Sequence, residues 1–280
     1  MEKTPAEIAE NMKFLREQEE NNIYTRHARD EREDGRGYVM HIHDRCEIYY
    51  FIEGDADYLV EGAEYPMKPG SLLLMRPGEA HRTRLNSTCA YERYAINFPM
   101  DLFDAIDPDR NVMKSYTDRG LGKENHYYRP EYKGLFEKIC DEKNGAEDRG
   151  IFLYSALLQM LLDIGEEFAG RWKPRPGKNK TLSSGIIEYV NAHMADDLSV
   201  ESIAAHFYIS PSQLTRIFRE YIGAPPWEYI TAKRLVQARE MIIEGCSAGG
   251  AAEKCGFGDY SSFYRAYVRR YGTSPGRKRS

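Results

Sequence analysis

Two stretches near the C-terminus share one build: IAAHFYISPSQLTRIFREYIG (203–223) and AAEKCGFGDYSSFYRAYVRRYG (251–272). Each begins with a short run of helical apolar spacing, passes through a tight turn, and continues into a longer run that ends aromatic and basic before a glycine. A small residue in the first run, Ala204 or Ala252, lets a second helix cross closely over it. Ser210 with Pro211, and Asp259, are cap residues that start the second helix. Leu214, Ile217 and Phe218 in one unit, and Phe263, Ala266 and Tyr267 in the other, fall on one face. The pattern predicts two helix-turn-helix units. Their outer faces carry Ser212, Gln213, Thr215, Arg216 and Arg219, then Tyr260, Ser261, Tyr264, Arg265 and Arg269. These are donors and aromatics suited to base edges and phosphates.

Charge agrees with that placement. The net charge of −5 conceals a split: residues 1–175 carry 25 Lys+Arg against 34 Asp+Glu, and residues 176–280 carry 14 against 10. A polyanion would therefore meet the C-terminal part. The 280 residues suffice for about two domains. Hydrophobic residues at 41% and charged residues at 30% exclude a disordered or collagen-like chain. No stretch reaches the roughly 18 apolar residues of a membrane span, and the polar, acidic N-terminus has no apolar signal core. Five cysteines (46, 89, 140, 246 and 255) form no CxxC pair. That points away from a disulfide framework and toward a cytoplasmic setting.

Upstream, Thr4-Pro5-Ala6-Glu7 reads as a capped helix start, and Ile8, Met12 and Leu15 recur at helical spacing, which predicts a helix within residues 1–22. From Tyr24 to Phe98 the texture changes to short runs rich in Tyr, Ile, Val and Leu, broken by Gly, Pro and Asp: 47–53, 57–61, 71–75, 81–85 and 91–98. Short strands at regular spacing predict a β-sandwich or barrel over residues 23–100. Residues 101–170 form a helical linker and dimerisation region. Within it Tyr132, Leu135, Phe136 and Ile139 share a face, and residues 151–168 are apolar around most of a helix, which predicts burial on more than one side. RWKPRPGKNK (171–180) reads as an exposed linker, leaving 181–280 as the C-terminal domain.

The strand-rich part holds a second pattern. Gly35 is followed by His41-Ile42-His43, Glu47 and Gly54, and later by Gly70 and Pro77-Gly78-Glu79-Ala80-His81. On a strand, residues two apart share a face, so His41 and His43 point one way. Glu47 has the same parity, and His81 comes from a later strand. Three imidazoles and a carboxylate suit Zn, Ni, Mn or Fe(II). Three readings stand open: one divalent metal ion held by His41, His43, Glu47 and His81; an effector hydrogen-bonded directly; or polar groups that satisfy one another in the core. The same parity turns Tyr49 and Phe51 inward, with Arg45 in the connection before them. Arg45, Glu47, Tyr49 and His81 are the candidate effector-binding residues, suited to a polyol, sugar or small acid; Phe51 reads as core packing. The histidines at 27, 126, 193 and 206 read as ordinary structural residues.

The segments SPSQLTRIFREYIGAPPWEYITAKRLVQAREMI (210–242) and GFGDYSSFYRAYVRRYGTSP (256–275) resemble the DNA-binding domain of the AraC/XylS family of transcription regulators, in order and over the whole of 181–280. The resemblance implies two helix-turn-helix units joined by one helix, 226–243, that enter successive major grooves on one face of DNA. It also implies Ser212, Thr215 and Arg216 as base readers of the first unit, and Tyr260, Ser261, Tyr264 and Arg265 of the second. One departure stands out. Where the family usually has two bulky aliphatics, this chain has Ser247-Ala248-Gly249-Gly250-Ala251. Each internal glycine costs a helix about 1 kcal/mol against alanine, so the second unit is expected to be weakly folded by itself.

The histidine pattern resembles the cupin superfamily, small β-barrels with a metal or sugar pocket. Its first motif matches in every spacing; in the second the proline comes one place late and the asparagine is displaced to Asn86. In AraC-type regulators a cupin-like front domain is the usual effector sensor. The expected fold is therefore an α+β multidomain chain with an N-terminal cupin-like β-barrel, a helical dimerisation and linker region, and a C-terminal all-α double helix-turn-helix domain. The expected function is a sequence-specific DNA-binding transcription regulator, not an enzyme, whose barrel senses a small effector that is carbohydrate or metal-dependent. Its expected partners are double-stranded DNA, the effector, a second copy of the chain and RNA polymerase, with no membrane. The alternative is a metal-dependent cupin enzyme, an isomerase or dioxygenase, fused to a DNA-binding domain.

Overall fold

Residues 46–53, CEIYYFIE, are buried at their first six positions, so both faces of this strand are covered. A computed structural model, which describes residues 14–31, 38–140, 148–171 and 181–276, shows what covers them. The strands are β1 (Phe14–Glu20), β2 (Ile23–Asp30), β3 (Cys46–Glu53), β4 (Ala56–Val60), β5 (Ala63–Pro66), β6 (Ser71–Met75), β7 (His81–Leu85), β8 (Tyr91–Phe98) and β9 (His126–Tyr128). They form a six-stranded sheet in the order β1-β2-β8-β3-β6-β9 and a three-stranded sheet in the order β5-β4-β7. Tyr49 and Phe51 of β3 face inward and cluster with Tyr58 and Val60 of the small sheet. Ile48 and Tyr50 face outward and cluster with Leu72, Leu74, Ile96 and Phe98 against helical residues. The parity argument thus describes the barrel correctly: odd residues of β3 look in and even residues look out.

Two boundaries need correction. Residues 14–20 are strand β1, not the end of a helix. Asn21 and Asn22 both adopt left-handed φ, 49° and 66°, the conformation that suits a two-residue hairpin, and Glu20 pairs with Ile23 across it. Leu15 therefore belongs to a strand, and Ile8 and Met12 lie outside the described residues. At the other end, β9 pairs with β6 at Ser71↔Tyr128, so the sheet extends beyond residue 100. The sequence signal was weak there because β9 is only three residues long.

The helices are α1 (Lys114–Thr117), α2 (Lys133–Ile139), α3 (Arg149–Arg171), α4 (Leu182–Ala192), α5 (Val200–His206), α6 (Pro211–Tyr221), α7 (Pro226–Ile243), α8 (Ala248–Lys254) and α9 (Tyr260–Tyr271). Helix α2 and the preceding Tyr132 bury Tyr132, Phe136 and Ile139 against the outer face of the large sheet. Helix α3 buries Leu153, Leu157, Met160, Leu161 and Ile164 in the same core. Its other side is open, with Ile151 72% and Leu162 45% exposed. In the single chain it is buried along one stripe, not on several sides as its all-round apolar sequence suggested. Of the linker 171–180, Arg171 ends α3 and the rest lies outside the described residues.

Helices α4 to α9 build two small cores. Ile203, Leu214, Ile217 and Phe218 pack with Ile186, Val190 and Tyr229 in one. Ala251, Ala252, Phe263 and Tyr267 pack with Leu235 and Ala238 in the other. Helix α7 serves both, which is how one linking helix sets the spacing of the two units. The caps read from sequence are made: Ser210 accepts from the Gln213 amide and Asp259 from the Ser262 amide.

Candidate functional site

A cavity of about 270 Å³ lies between the two sheets. Alternation explains its lining. Tyr24 and Arg26 of β2 pair with Asn97 and Ala95 of β8, and Glu47 and Tyr49 of β3 pair with the same two residues from the other side. All of these turn inward, as do Tyr91 and Arg93. The small sheet closes the cavity with Tyr58, His81 and Thr83, and the connection before β3 supplies Tyr38, His41, His43 and Arg45.

Three of the predicted ligand residues converge. His43 Nε2 lies 2.8 Å from Glu47 Oε2 and His81 Nε2 lies 3.5 Å from the same oxygen. One donor atom from each of His43, Glu47 and His81 falls within 4.8 Å of the others. Asn97 Nδ2 donates to Glu47 Oε2 at 3.1 Å. The remaining ring nitrogens are held by backbone: His43 Nδ1 lies 2.9 Å from the Arg45 carbonyl, and His81 Nδ1 lies 2.8 Å from the Glu79 carbonyl. With each Nδ1–H donated to a carbonyl, each Nε2 is turned toward Glu47, where it donates to the carboxylate when protonated and offers its lone pair to a cation when not. Burial alone would raise the Glu47 carboxyl, but hydrogen bonds from His43 and His81 outweigh it and hold it well below the usual carboxylate range. Burial alone would lower the His81 imidazole, but its hydrogen bond to Glu47 and that residue's charge raise it.

His41 does not join this group. It lines the cavity beside His43, as the two-residue periodicity predicts, and its backbone is bridged to His81: each amide donates to the other's carbonyl, at 2.8 and 3.0 Å. What parity could not show is that only His43, Glu47 and His81 bring donor atoms together. Arg45 lines the cavity and ties it to the β1–β2 turn through the backbone and side chain of Asn22. Tyr49 joins the lining and hydrogen-bonds Tyr91, which Thr83 also meets at 2.8 Å. Phe51 is core.

Sequence reasoning missed Arg26, Arg93, Tyr38, Tyr58 and Tyr91. The available signal was the alternation within 24–30 and 91–97, where polar and aromatic residues recur two apart on the inward side. Arg93 is buried in an ion pair with Asp30, to which Tyr38 donates at 2.5 Å. Pairing makes such a charge tolerable in the wall of a pocket.

On the C-terminal domain, Ser212, Arg216 and Arg219 of α6 are exposed, and Gln213 and Thr215 are half-buried. Thr215 Oγ1 donates back to the Pro211 carbonyl at 3.0 Å. On α9, Tyr260, Ser261, Tyr264, Arg265 and Arg269 are all exposed, and Arg265 reaches Ser262 Oγ at 3.2 Å. None of the ten residues is buried within the chain, so both outer helix faces are open to a partner.

Comparisons with known proteins fit this two-part layout. Residues 26–162 match the AraC-like ligand binding domain, and residues 203–280 match a helix-turn-helix domain. The arabinose operon regulatory protein of Escherichia coli (strain K12) is 23% identical over 86% of this chain and 79% of its own length. An uncharacterized HTH-type transcriptional regulator of Bacillus subtilis (strain 168), YfiF, is 26% identical over the same shares. Among solved structures, ToxT from Vibrio cholerae aligns over 92% of this chain and 96% of its own, at 14% identity and a TM-score of 0.39. Among the described residues no helix is long and apolar enough to cross a membrane.

Proposed function

The chain belongs to the AraC family, as a DNA-binding transcription regulator with a ligand-binding sensor domain, and from that premise we propose how the sensor works. One divalent metal ion is held by His43, Glu47 and His81, and it presents an oxygen-rich effector to the surrounding arginines and tyrosines. The observation that carries this is the pair of Nδ1–carbonyl hydrogen bonds, which turn two imidazole Nε2 atoms and a carboxylate oxygen toward one point. Such a donor set fits Zn, Ni, Mn or Fe(II). A bound metal would supply a Lewis-acidic centre for hydroxyl or carboxylate oxygens. Arg26, Arg45 and the tyrosines of the lining suit a sugar, polyol or small acid. The raised His81 imidazole supports a second reading: a proton on His81 neutralises Glu47, and the effector is bound by hydrogen bonds alone.

The barrel acts here as a sensor rather than an enzyme; the relatives named above are regulators. Helices α6 and α9 enter successive major grooves, with Ser212, Thr215, Arg216, Tyr260, Ser261, Tyr264 and Arg265 toward bases. The open side of α3, with Ile151 and Leu162 exposed, joins two chains into a dimer, since uncovered apolar side chains of this kind mark an association surface.

Elemental analysis of protein purified without a polyhistidine tag tests the metal. The expected result is one equivalent of divalent metal per chain in the parent and none in His43→Ala. Metal-free protein that also fails to take up Zn²⁺ in a calorimetric titration overturns the metal reading in favour of the second one.

A further inference from the structure

The wall of the pocket is also the floor on which the DNA-binding domain sits. In the segment 40–44, His41 and His43 line the cavity. The residues between them face the other way: Ile42 is buried in the core of the first helix-turn-helix unit, with Met40 against it, and Asp44 pairs with Arg239 of α7 at 3.0 Å. The partner segment 78–82 is built alike. His81 lines the cavity, Ala80 is buried in that same helical core, and Arg82 donates to the Glu220 carbonyl at the end of α6. The two segments are joined by the His41–His81 bridge and by the Gly78 amide donating to the His43 carbonyl at 2.9 Å. The backbone that carries these imidazoles is thus the backbone that the DNA-binding domain touches.

At the centre is a buried charge pair between domains. Glu61, in the turn between β4 and β5, accepts from Lys233 Nζ of α7 at 2.7 Å, with both side chains almost fully buried. The same carboxylate accepts from the Ala80 amide at 2.7 Å and from Asn191 of α4 at 3.1 Å, and Tyr229 also donates to it. Lys233 Nζ reaches on to the Gly78 carbonyl at 2.7 Å. Gly62, with φ of +76°, lets the turn approach α4 so closely that a Cβ there would lie 2.3 Å from Ile187 Cδ1. The barrel also holds the second unit, where Arg270 at the end of α9 donates to the Ile42 carbonyl. None of these contacts is made by the ten candidate DNA-reading residues, each of which stays at least partly exposed.

We propose that this shared wall transmits pocket occupancy to the DNA-binding domain, with Glu61–Lys233 as its latch. This rests on the reading of the cavity as the sensor site. The docked barrel pre-organises the two helix-turn-helix units for DNA. His43 of one segment and His81 of the other would hold a metal ion between them, and such an ion would stiffen the wall and strengthen that hold. The interface is suited to switching. Its apolar share from the barrel is small (Met40, Ile42, Ala80), and polar inter-domain contacts permit relative motion. A ligand changes DNA affinity only through such differential contact with two states.

The test uses full-length chain, a duplex enriched from random sequence by the parent, and Zn²⁺ as the pocket probe. Removing one partner of a buried pair leaves an uncompensated charge, whereas replacing both by apolar residues is close to neutral. Glu61→Leu and Lys233→Met singly are expected to weaken duplex binding in zinc-free protein by about tenfold, and to enlarge the radius of gyration in small-angle scattering. The double variant recovers part of both effects, because the charges are removed together while Ala80, Asn191 and Tyr229 lose their acceptor. In the parent Zn²⁺ tightens duplex binding; in the single variants Zn²⁺ still binds but the duplex response is lost. Single variants that open in scattering yet bind the duplex as the parent does, or more tightly, overturn the proposal. So does a full Zn²⁺ response in them. If no chain binds Zn²⁺, the metal reading fails, while the zinc-free comparison still decides the latch.

Discussion

Arg216 is the long, exposed donor at a reading position of the first helix-turn-helix unit, one turn into α6 and away from the barrel. Arg216→Ala is expected to lower specific duplex affinity by about 1–3 kcal/mol and to relax preference at one base pair, with the salt slope little changed. Fluorescence anisotropy across duplexes substituted at single positions measures this. A loss that is uniform across sequences, with a slope lower by about one, makes it a phosphate contact instead. At the same scale, the pocket was half legible. Glu47 and Tyr49 could be placed by parity because they lie on a true strand, and His81 was expected from a later one. Parity also turned His41 and His43 toward the cavity, but spacing could not show that His41 stays outside the converging group. Arg26 and Arg93 were hidden because a charged residue in a strand usually signals the solvent side; only the pairing of Arg93 with Asp30 shows that its charge is accommodated inside.

Helix α8, AGGAAEK, begins with a Ser247 cap on the Gly250 amide and buries Ala251 and Ala252. Its two glycines invite the suspicion that a close neighbour demands them. Space around Gly249 is open: a Cβ there meets nothing within 4 Å, and its φ is not left-handed. At Gly250 the added Cβ would lie 3.1 Å from Ser247 Oγ, the capping atom itself. Gly249→Ala is therefore expected to stabilise the second unit by about 1 kcal/mol and to tighten duplex binding modestly, since less ordering remains to be done on contact. Hydrogen exchange of the α8 amides, slowed in the free variant, checks it. Unchanged or faster exchange with a lowered melting temperature would refute the flexible-helix reading. The element that sequence misjudged was β1. For Leu15 the helical spacing was outweighed by an Asn-Asn hairpin turn that pairs residues 14–20 with β2; Ile8 and Met12 lie outside the described residues.

At the scale of the whole molecule, the outer side of α3 leaves Ile151 and Leu162 exposed. Leu162→Asp disturbs only part of the packing within the chain, since Leu162 is 45% exposed. It does place a charge in the proposed dimer contact. We expect the dimer dissociation constant to rise about 100-fold, the size of an unpaired charge in an apolar interface at nearly 3 kcal/mol. Duplex affinity should fall with it while the monomer keeps its melting temperature. Light scattering that shows the same mass for parent and variant at all concentrations removes α3 as the interface.

By itself the sequence determined the division into a strand-rich acidic front and a basic helical back, both helix-turn-helix units with their caps, and five of the strands. Each of these rests on local periodicity and turn chemistry, which are properties of neighbouring residues. Only the tertiary structure decided which side chains converge. His43, Glu47 and His81 meet because β3 and β7 belong to different sheets that close on one another. Glu61 and Lys233, 172 positions apart, meet because a tight turn of the barrel fits against α4 and α7. Pairings of that separation leave no trace in spacing; they follow from how apolar faces are buried against one another and how buried charges are matched.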